Sequence, residues 1–147
     1  MKYLLFISLV LIGGCATGPD AMYFEQGKSL AIKTGYKDYH VAGNVYGVTF
    51  VGGYNGLKPG PLPKVDVIRF VNKRSSELCH ERGFSRYSLL GQPVFTSELG
   101  AGTTTMFSYA KCFAPGEEIS DASFSEAEKK GIARDRQSRE ATCQLGC

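Results

Sequence analysis

The 147-residue sequence predicts an α+β domain: a small antiparallel sheet of three or four strands, one main helix packed on a face, and a charged C-terminal helix. Three observations predict it. Residues 44–52 alternate, with Tyr46, Val48 and Phe50 on one side and Val45, Gly47, Thr49 and Val51 on the other. Residues 64–82 carry an apolar stripe at helical spacing. Residues 103–113 alternate again, with Thr105, Phe107 and Tyr109 against Met106, Ser108 and Ala110.

The strand at 44–52 buries its aromatic and β-branched set and stops at Gly52-Gly53-Tyr54-Asn55-Gly56. A Pro-rich connector, 58–63, leads to the helix, with Pro63 at a position where a missing N–H is harmless. Ile68, Val71, Ser75, Leu78 and Arg82 form the helix stripe, widened by Val67, Phe70 and Cys79. Lys73, Arg74, Glu77 and Glu81 suit the wet side, and Gly83 suits a C-terminal cap. Residues 84–90 predict the next strand, which Pro93 ends, leaving 92–102 as a loop. From residue 120 the composition turns charged. Ser125-x-x-Glu128 fits a capping box, and Glu126 with Lys130 supports a helix at i,i+4. Apolar positions there are sparse (Phe124, Ile132, Ala133, Leu145), while Arg134, Arg136 and Arg139 make one edge basic. That is the pattern of a solvated helix, or of a docking segment for an anionic surface or partner.

The start of the chain is an address. Met1-Lys2 precedes an apolar run over residues 3–12, broken only by Ser8. Ten residues span about 15 Å as a helix, short of the about 30 Å of a bilayer core. The segment therefore predicts an export signal rather than a membrane span. Leu11-Ile12-Gly13-Gly14-Cys15 resembles the bacterial lipobox. That resemblance implies thioether lipidation of Cys15, cleavage before it and acylation of the new amino group. Several acyl chains together make an effectively permanent membrane anchor. Ala16, rather than Asp, follows the Cys, and by the same resemblance favours the outer membrane over the inner. The expected organisation is residues 1–14 signal peptide, 15–35 lipidated N-terminus and linker, 36–119 α+β domain, and 120–147 charged helical tail with a Cys pair.

Four further cysteines, Cys79, Cys112, Cys143 and Cys147, allow three disulfide connectivities. Export to an oxidising compartment favours pairing over metal binding, and Cys143-x-x-x-Cys147 alone is a weak zinc signal. If the strands after the helix form a hairpin, the second strand returns Cys112 to the helix end that carries Cys79. Cys143 and Cys147 are then left as a local pair. The first bridge would close about 33 residues, contributing about 3–4 kcal/mol in the chain-entropy account.

Chemistry-bearing residues are few. A net charge of +3, with no basic run interleaved with aromatics, argues against a nucleic-acid partner. There is no Gly-x-Ser-x-Gly elbow, and the glycine run at 52–56 lacks the Lys-Ser/Thr of a phosphate loop. His80 beside Cys79 points about 100° away on a helix. The carboxylate pairs Glu77/Glu81 and Glu117/Glu118 read as solvated ion-pairing groups. His40 stands before the first strand with Tyr36 and Tyr39; together with Tyr54 these could form a Tyr-rich ligand edge.

Several segments together resemble a family of small proteobacterial envelope lipoproteins of unknown role. They are Cys15-Ala16-Thr17, Gly35-Tyr36-Lys37-Asp38, Tyr46-Gly47-Val48-Thr49-Phe50-Val51-Gly52, and Ser76-Glu77-Leu78 followed by Gly83-Phe84-Ser85-Arg86-Tyr87. The resemblance covers about half of the mature chain. It departs at Ser75-Ser76, where Ala is usual, in the added Cys pairs and in the tail. It implies an envelope domain and carries over no catalytic residue. The expectation is a non-enzymatic, cofactor-free lipoprotein of the outer membrane, presenting an interaction domain in the periplasm to an envelope protein or to peptidoglycan. Two other readings stand beside it: a cell-wall or glycan-directed binder or enzyme using the Tyr edge and His40, and an envelope-stress or redox sensor using the disulfides.

Overall fold

A computed structural model describes Glu25 and residues 35–53, 62–98, 103–120 and 123–144. Among these the chain runs β1 (Gly35–Ala42), β2 (Val45–Gly52), α1 (Lys64–Glu81), β3 (Arg86–Glu98), β4 (Thr103–Phe113) and α2 (Glu126–Gln144). The strands form one antiparallel sheet in the order β1-β2-β4-β3. Two hairpins are joined by α1, which crosses the sheet so that β4 inserts between β2 and β3. The α+β class, with a main helix and a C-terminal helix, is the observed fold.

Both strand alternations hold, and they serve two cores. Tyr46, Val48 and Phe50 of β2 and Met106, Ala110 and Cys112 of β4 face α1. They pack with Val67, Phe70, Val71, Leu78 and Cys79, and Phe50 stacks on Phe70 with ring centroids 4.7 Å apart. The opposite face holds a second cluster of Val45, Phe107 and Tyr109, against which Tyr39, Val41, Leu90, Phe124 and Ile132 pack. The central strands are thus buried on both sides, and α2 is the second layer rather than a detached tail. Ile132 of α2 and Phe124 just before it, two of the few apolar residues of this segment, are those used.

Helix α1 ends as Gly83 predicts. Gly83 adopts φ +84°, its N–H donates to the His80 carbonyl, and the Phe84 N–H donates to the Cys79 carbonyl. This is a Schellman ending, and Phe84 completes it by packing on the core. The buried face is rotated from the expected stripe. Ile68 is 37% exposed, whereas Arg74, expected on the wet side, is buried. A partner on β1 explains the exchange: Arg74 Nε donates to Asp38 Oδ1 at 2.9 Å and Nη1 donates to Glu81 Oε1 at 2.9 Å. Its guanidinium also lies 4.6 Å from the Tyr36 ring centroid.

Two strands differ from the sequence reading. β1 occupies residues assigned to the linker and to the stretch before the first strand. Its alternation is concealed because the α1-facing side reads Tyr36, Asp38, His40, polar groups that become acceptable only once Arg74 and Tyr46 are opposite. Outside β1, the expected linker contributes one described residue, Glu25, which bridges Tyr36 in parallel. β3 runs on through Pro93, which was expected to end it. The pairing with β4 shifts register between Leu90 and Val94, and this is an edge strand, so the missing Pro N–H breaks no ladder.

The capping box of α2 forms as expected: the Glu128 N–H donates to Ser125 Oγ at 3.2 Å, and the Ser125 N–H donates to Glu128 Oε2 at 2.9 Å. Glu126 pairs with Lys129 at 2.9 Å, one residue earlier than the expected Lys130.

Candidate functional site

The hairpin argument for the disulfide is realised. Arg86 pairs with Phe113 and Tyr87 with Cys112, so β4 ends where β3 begins, directly after α1. Cys79 and Cys112 are joined, their Cα atoms 5.3 Å apart and both side chains buried. The backbone of Cys143 lies in the last turn of α2; its side chain and Cys147 are outside the described residues, as are Cys15 and Tyr54.

The remaining sequence candidates do not share a surface. Strand alternation puts Tyr36 on the α1 side under Arg74 and Tyr39 on the α2 side. His40 is exposed, donates through Nε2 to the Gly43 carbonyl at 2.9 Å and sits edgewise to Tyr46. A single ligand edge built from Tyr36, Tyr39 and His40 is therefore replaced by contacts within the fold. Glu81 is engaged by Arg74, and Glu77 lies 3.9 Å from the same guanidinium. Glu117 Oε2 accepts from the Ala114 N–H at 2.9 Å. Among the described residues no group of three or more His, Cys, Asp or Glu side chains could hold a metal ion.

Among the described residues a concave feature lies on the second face, between the C-terminal half of α2 and strands β3 and β4. It is a groove of about 770 Å³, within the size range of small-molecule sites. Its floor is mainly apolar (Leu90, Val94, Phe107 and the ring of Tyr109), with Thr96 and Ser108 beside them. Its rim is Arg136, Arg139, Ser138, Glu140 and Thr142 of α2. The register shift in β3 shapes it. Gly91, at φ +70°, turns the strand between Leu90 and Val94, leaving Val94 57% exposed.

One end of the groove is fixed by a three-residue device. Asp135 Oδ2 accepts from both the Tyr39 and the Tyr109 hydroxyl, each at 2.8 Å. Burial raises the Tyr109 phenol well above its ordinary value, and the Asp135 carboxylate adds to the rise. The Tyr39 phenol is raised by the same two causes, with Arg139 opposing. Both hydroxyls therefore stay protonated and donating at neutral pH. Glycine permits this geometry: a Cβ on Gly47, which pairs with Tyr39 across the strands, would collide with the Tyr39 ring. Arg139 lies over Phe107, 3.5 Å from the ring centroid.

At the other end α2 is pinned by a buried ion pair. Lys111 Nζ meets Glu128 Oε2 at 2.9 Å and also donates to the Ser123 carbonyl. Glu128 Oε1 accepts from the Asn44 N–H at 3.0 Å. Burial pushes the Glu128 carboxyl up, but Lys111, the Ser125 and Asn44 N–H groups and the Ser125 hydroxyl outweigh it and hold it below the usual carboxylate range.

Arg74, Lys111, Asp135 and the groove itself were not foreseen from the sequence. One signal was present: Ile132, Asp135, Arg136 and Arg139 share a helix face at i, i+3, i+4, i+7. That face carries one apolar side chain, one carboxylate and two guanidinium groups. No protein-family model, curated protein or solved structure matches this chain.

Proposed function

We propose that the protein is a bacterial envelope lipoprotein, anchored through Cys15 to the outer membrane, whose domain acts in the periplasm as a non-enzymatic binding module. The observation that carries the binding reading is the second-face groove, with a mainly apolar floor of Leu90, Val94 and Phe107 beneath the Arg136 and Arg139 rim. The Leu11-Ile12-Gly13-Gly14-Cys15 segment supports the tether, and the family resemblance supports the envelope. The Cys79–Cys112 disulfide is compatible with an oxidising compartment.

The test has two arms. Cells expressing the wild type or Cys15→Ser are fractionated, and the mature N-terminus is weighed by mass spectrometry. The wild type should partition with outer membranes and carry acyl mass; the variant should not. Equal partitioning of the two sinks the tether. In the second arm, partners are crosslinked in intact envelopes, including peptidoglycan, for the wild type and for Val94→Lys. The enriched species should diminish at least about fivefold in the variant. An unchanged set would mean that the groove is not the binding surface.

A further inference from the structure

We infer that the second-face groove binds a single-chain anionic amphiphile, an acyl chain carrying a carboxylate or phosphate head. This rests on the reading of that groove as the binding face and names what occupies it.

Four features point to this ligand class. The floor is mainly apolar, with Val94 open, Leu90 half-buried and Phe107 between them largely covered by Arg139. Val94 is more than half exposed on the edge strand, on the same face as its partner Phe107. Large apolar side chains left open beside a cavity are what an apolar ligand would bury. At about 770 Å³, the groove is of ligand size rather than protein-interface size. Of the two rim guanidinium groups, Arg139 lies on Phe107 close to Asp135, whereas Arg136 is exposed and is the group offered to an anionic head, with Glu140 the carboxylate beside it on the rim. Guanidinium suits carboxylate and phosphate alike because its planar fork can donate two hydrogen bonds to either.

An extended peptide added to the edge of β3 fits less well. The register shift and the positive φ of Gly91 interrupt the edge beside the groove, where an added strand would need a regular ladder. An acyl chain needs only the floor.

The test uses the full chain carrying Cys15→Ser, purified without detergent and titrated calorimetrically below micelle-forming concentrations. The probes are decanoate, laurate, dodecyl phosphate, 1-dodecanol and dodecyltrimethylammonium. Laurate and dodecyl phosphate should bind saturably at one site. Laurate should bind at least about fourfold more tightly than decanoate, because each fully buried methylene contributes about that factor and the groove is half open. Dodecanol and the cationic probe should bind at least about tenfold more weakly than laurate.

Arg136→Glu should weaken both anionic probes about tenfold or more while leaving dodecanol within twofold. Val94→Lys should weaken every probe. Helical circular dichroism is measured for each variant, and Arg136→Gln replaces Arg136→Glu if the latter is unfolded. Whichever of laurate and dodecyl phosphate binds tighter tells a fatty acid from a phospholipid head. The inference is overturned if binding does not saturate, if dodecanol matches laurate, or if the variants bind as the wild type does. It is also overturned if the chain instead forms a dimer that Val94→Lys abolishes. Should amphiphiles fail while Val94→Lys still removes a crosslinked partner, the binding-module reading survives and this inference falls.

Discussion

Lys111 and Glu128 form an ion pair 2.9 Å long with side chains 2% and 5% exposed, joining the central strand β4 to the first turn of α2. The carboxylate also takes the Asn44 and Ser125 N–H groups, and no buried side-chain nitrogen or oxygen is orphaned among the described residues. A buried pair is costly to break because removing one partner leaves the other charge stranded. Lys111→Met should therefore destabilise the domain by about 3–5 kcal/mol at pH 7, measured by urea unfolding. The sign with pH follows from the lowered Glu128 carboxyl. Its stabilisation is present above the unfolded carboxylate value, about 4.3, and is lost as pH falls through the lower folded value. In Glu128→Gln the wild-type advantage should shrink between pH 5 and pH 3. A constant difference across that window would show that the charge of Glu128 contributes nothing.

The Cys79–Cys112 bridge spans 33 residues and both side chains are buried. Cys79→Ala with Cys112→Ala should lower stability by about 3–4 kcal/mol while keeping the helical and sheet signals. Exchange requires a thiolate to reach a sulfur. The bridge should therefore resist millimolar glutathione in the native state and open only near the urea midpoint, followed by alkylation and mass spectrometry. Rapid native reduction would instead favour the redox-sensor reading.

Gly131 lets α2 sit against β1. A Cβ there would fall well inside contact distance of the Ala42 Cβ. In an exposed helix, Gly→Ala stabilises by about 1 kcal/mol. Here Gly131→Ala should destabilise by about 1–3 kcal/mol, because overpacking outweighs propensity. Susceptibility to limited proteolysis in α2 should rise with it. A stabilised variant would mean that the helix lies further from the sheet.

The phenols of Tyr39 and Tyr109 are both raised by burial and by Asp135. Their folded values exceed the unfolded value, about 10, so their contribution is intact below it and is lost as pH rises through the folded values. Absorbance titration should show phenolate appearing late, coincident with alkaline unfolding. Tyr39→Phe with Tyr109→Phe should shrink that late fraction to the share of Tyr87, which burial also raises, and leave Asp135 without its two phenol donors. Early, reversible titration of every tyrosine would contradict the hydrogen-bonded geometry.

Much of the architecture was legible as periodicity. Residues 44–52 and 103–113 alternate at period two, and the main helix repeats at 3.6 with a proline before it and a glycine after it. The first disulfide was legible too, since a helix followed by a hairpin returns Cys112 to Cys79. The capping box located the start of α2.

What local pattern could not carry was pairing between distant charged and polar groups. Arg74 reads as wet until Asp38 is brought opposite, and β1 does not read as a strand until Arg74 is there. Lys111 is one cation in a strand until Glu128, seventeen residues on, meets it. The groove has the same origin: its floor comes from β3 and β4, its rim from α2, and its opening from a register shift in an edge strand. Hydrophobic periodicity is a property of a segment and survives in the unfolded string. Desolvated charge pairs and concave surfaces exist only between segments, so tertiary structure alone determined them.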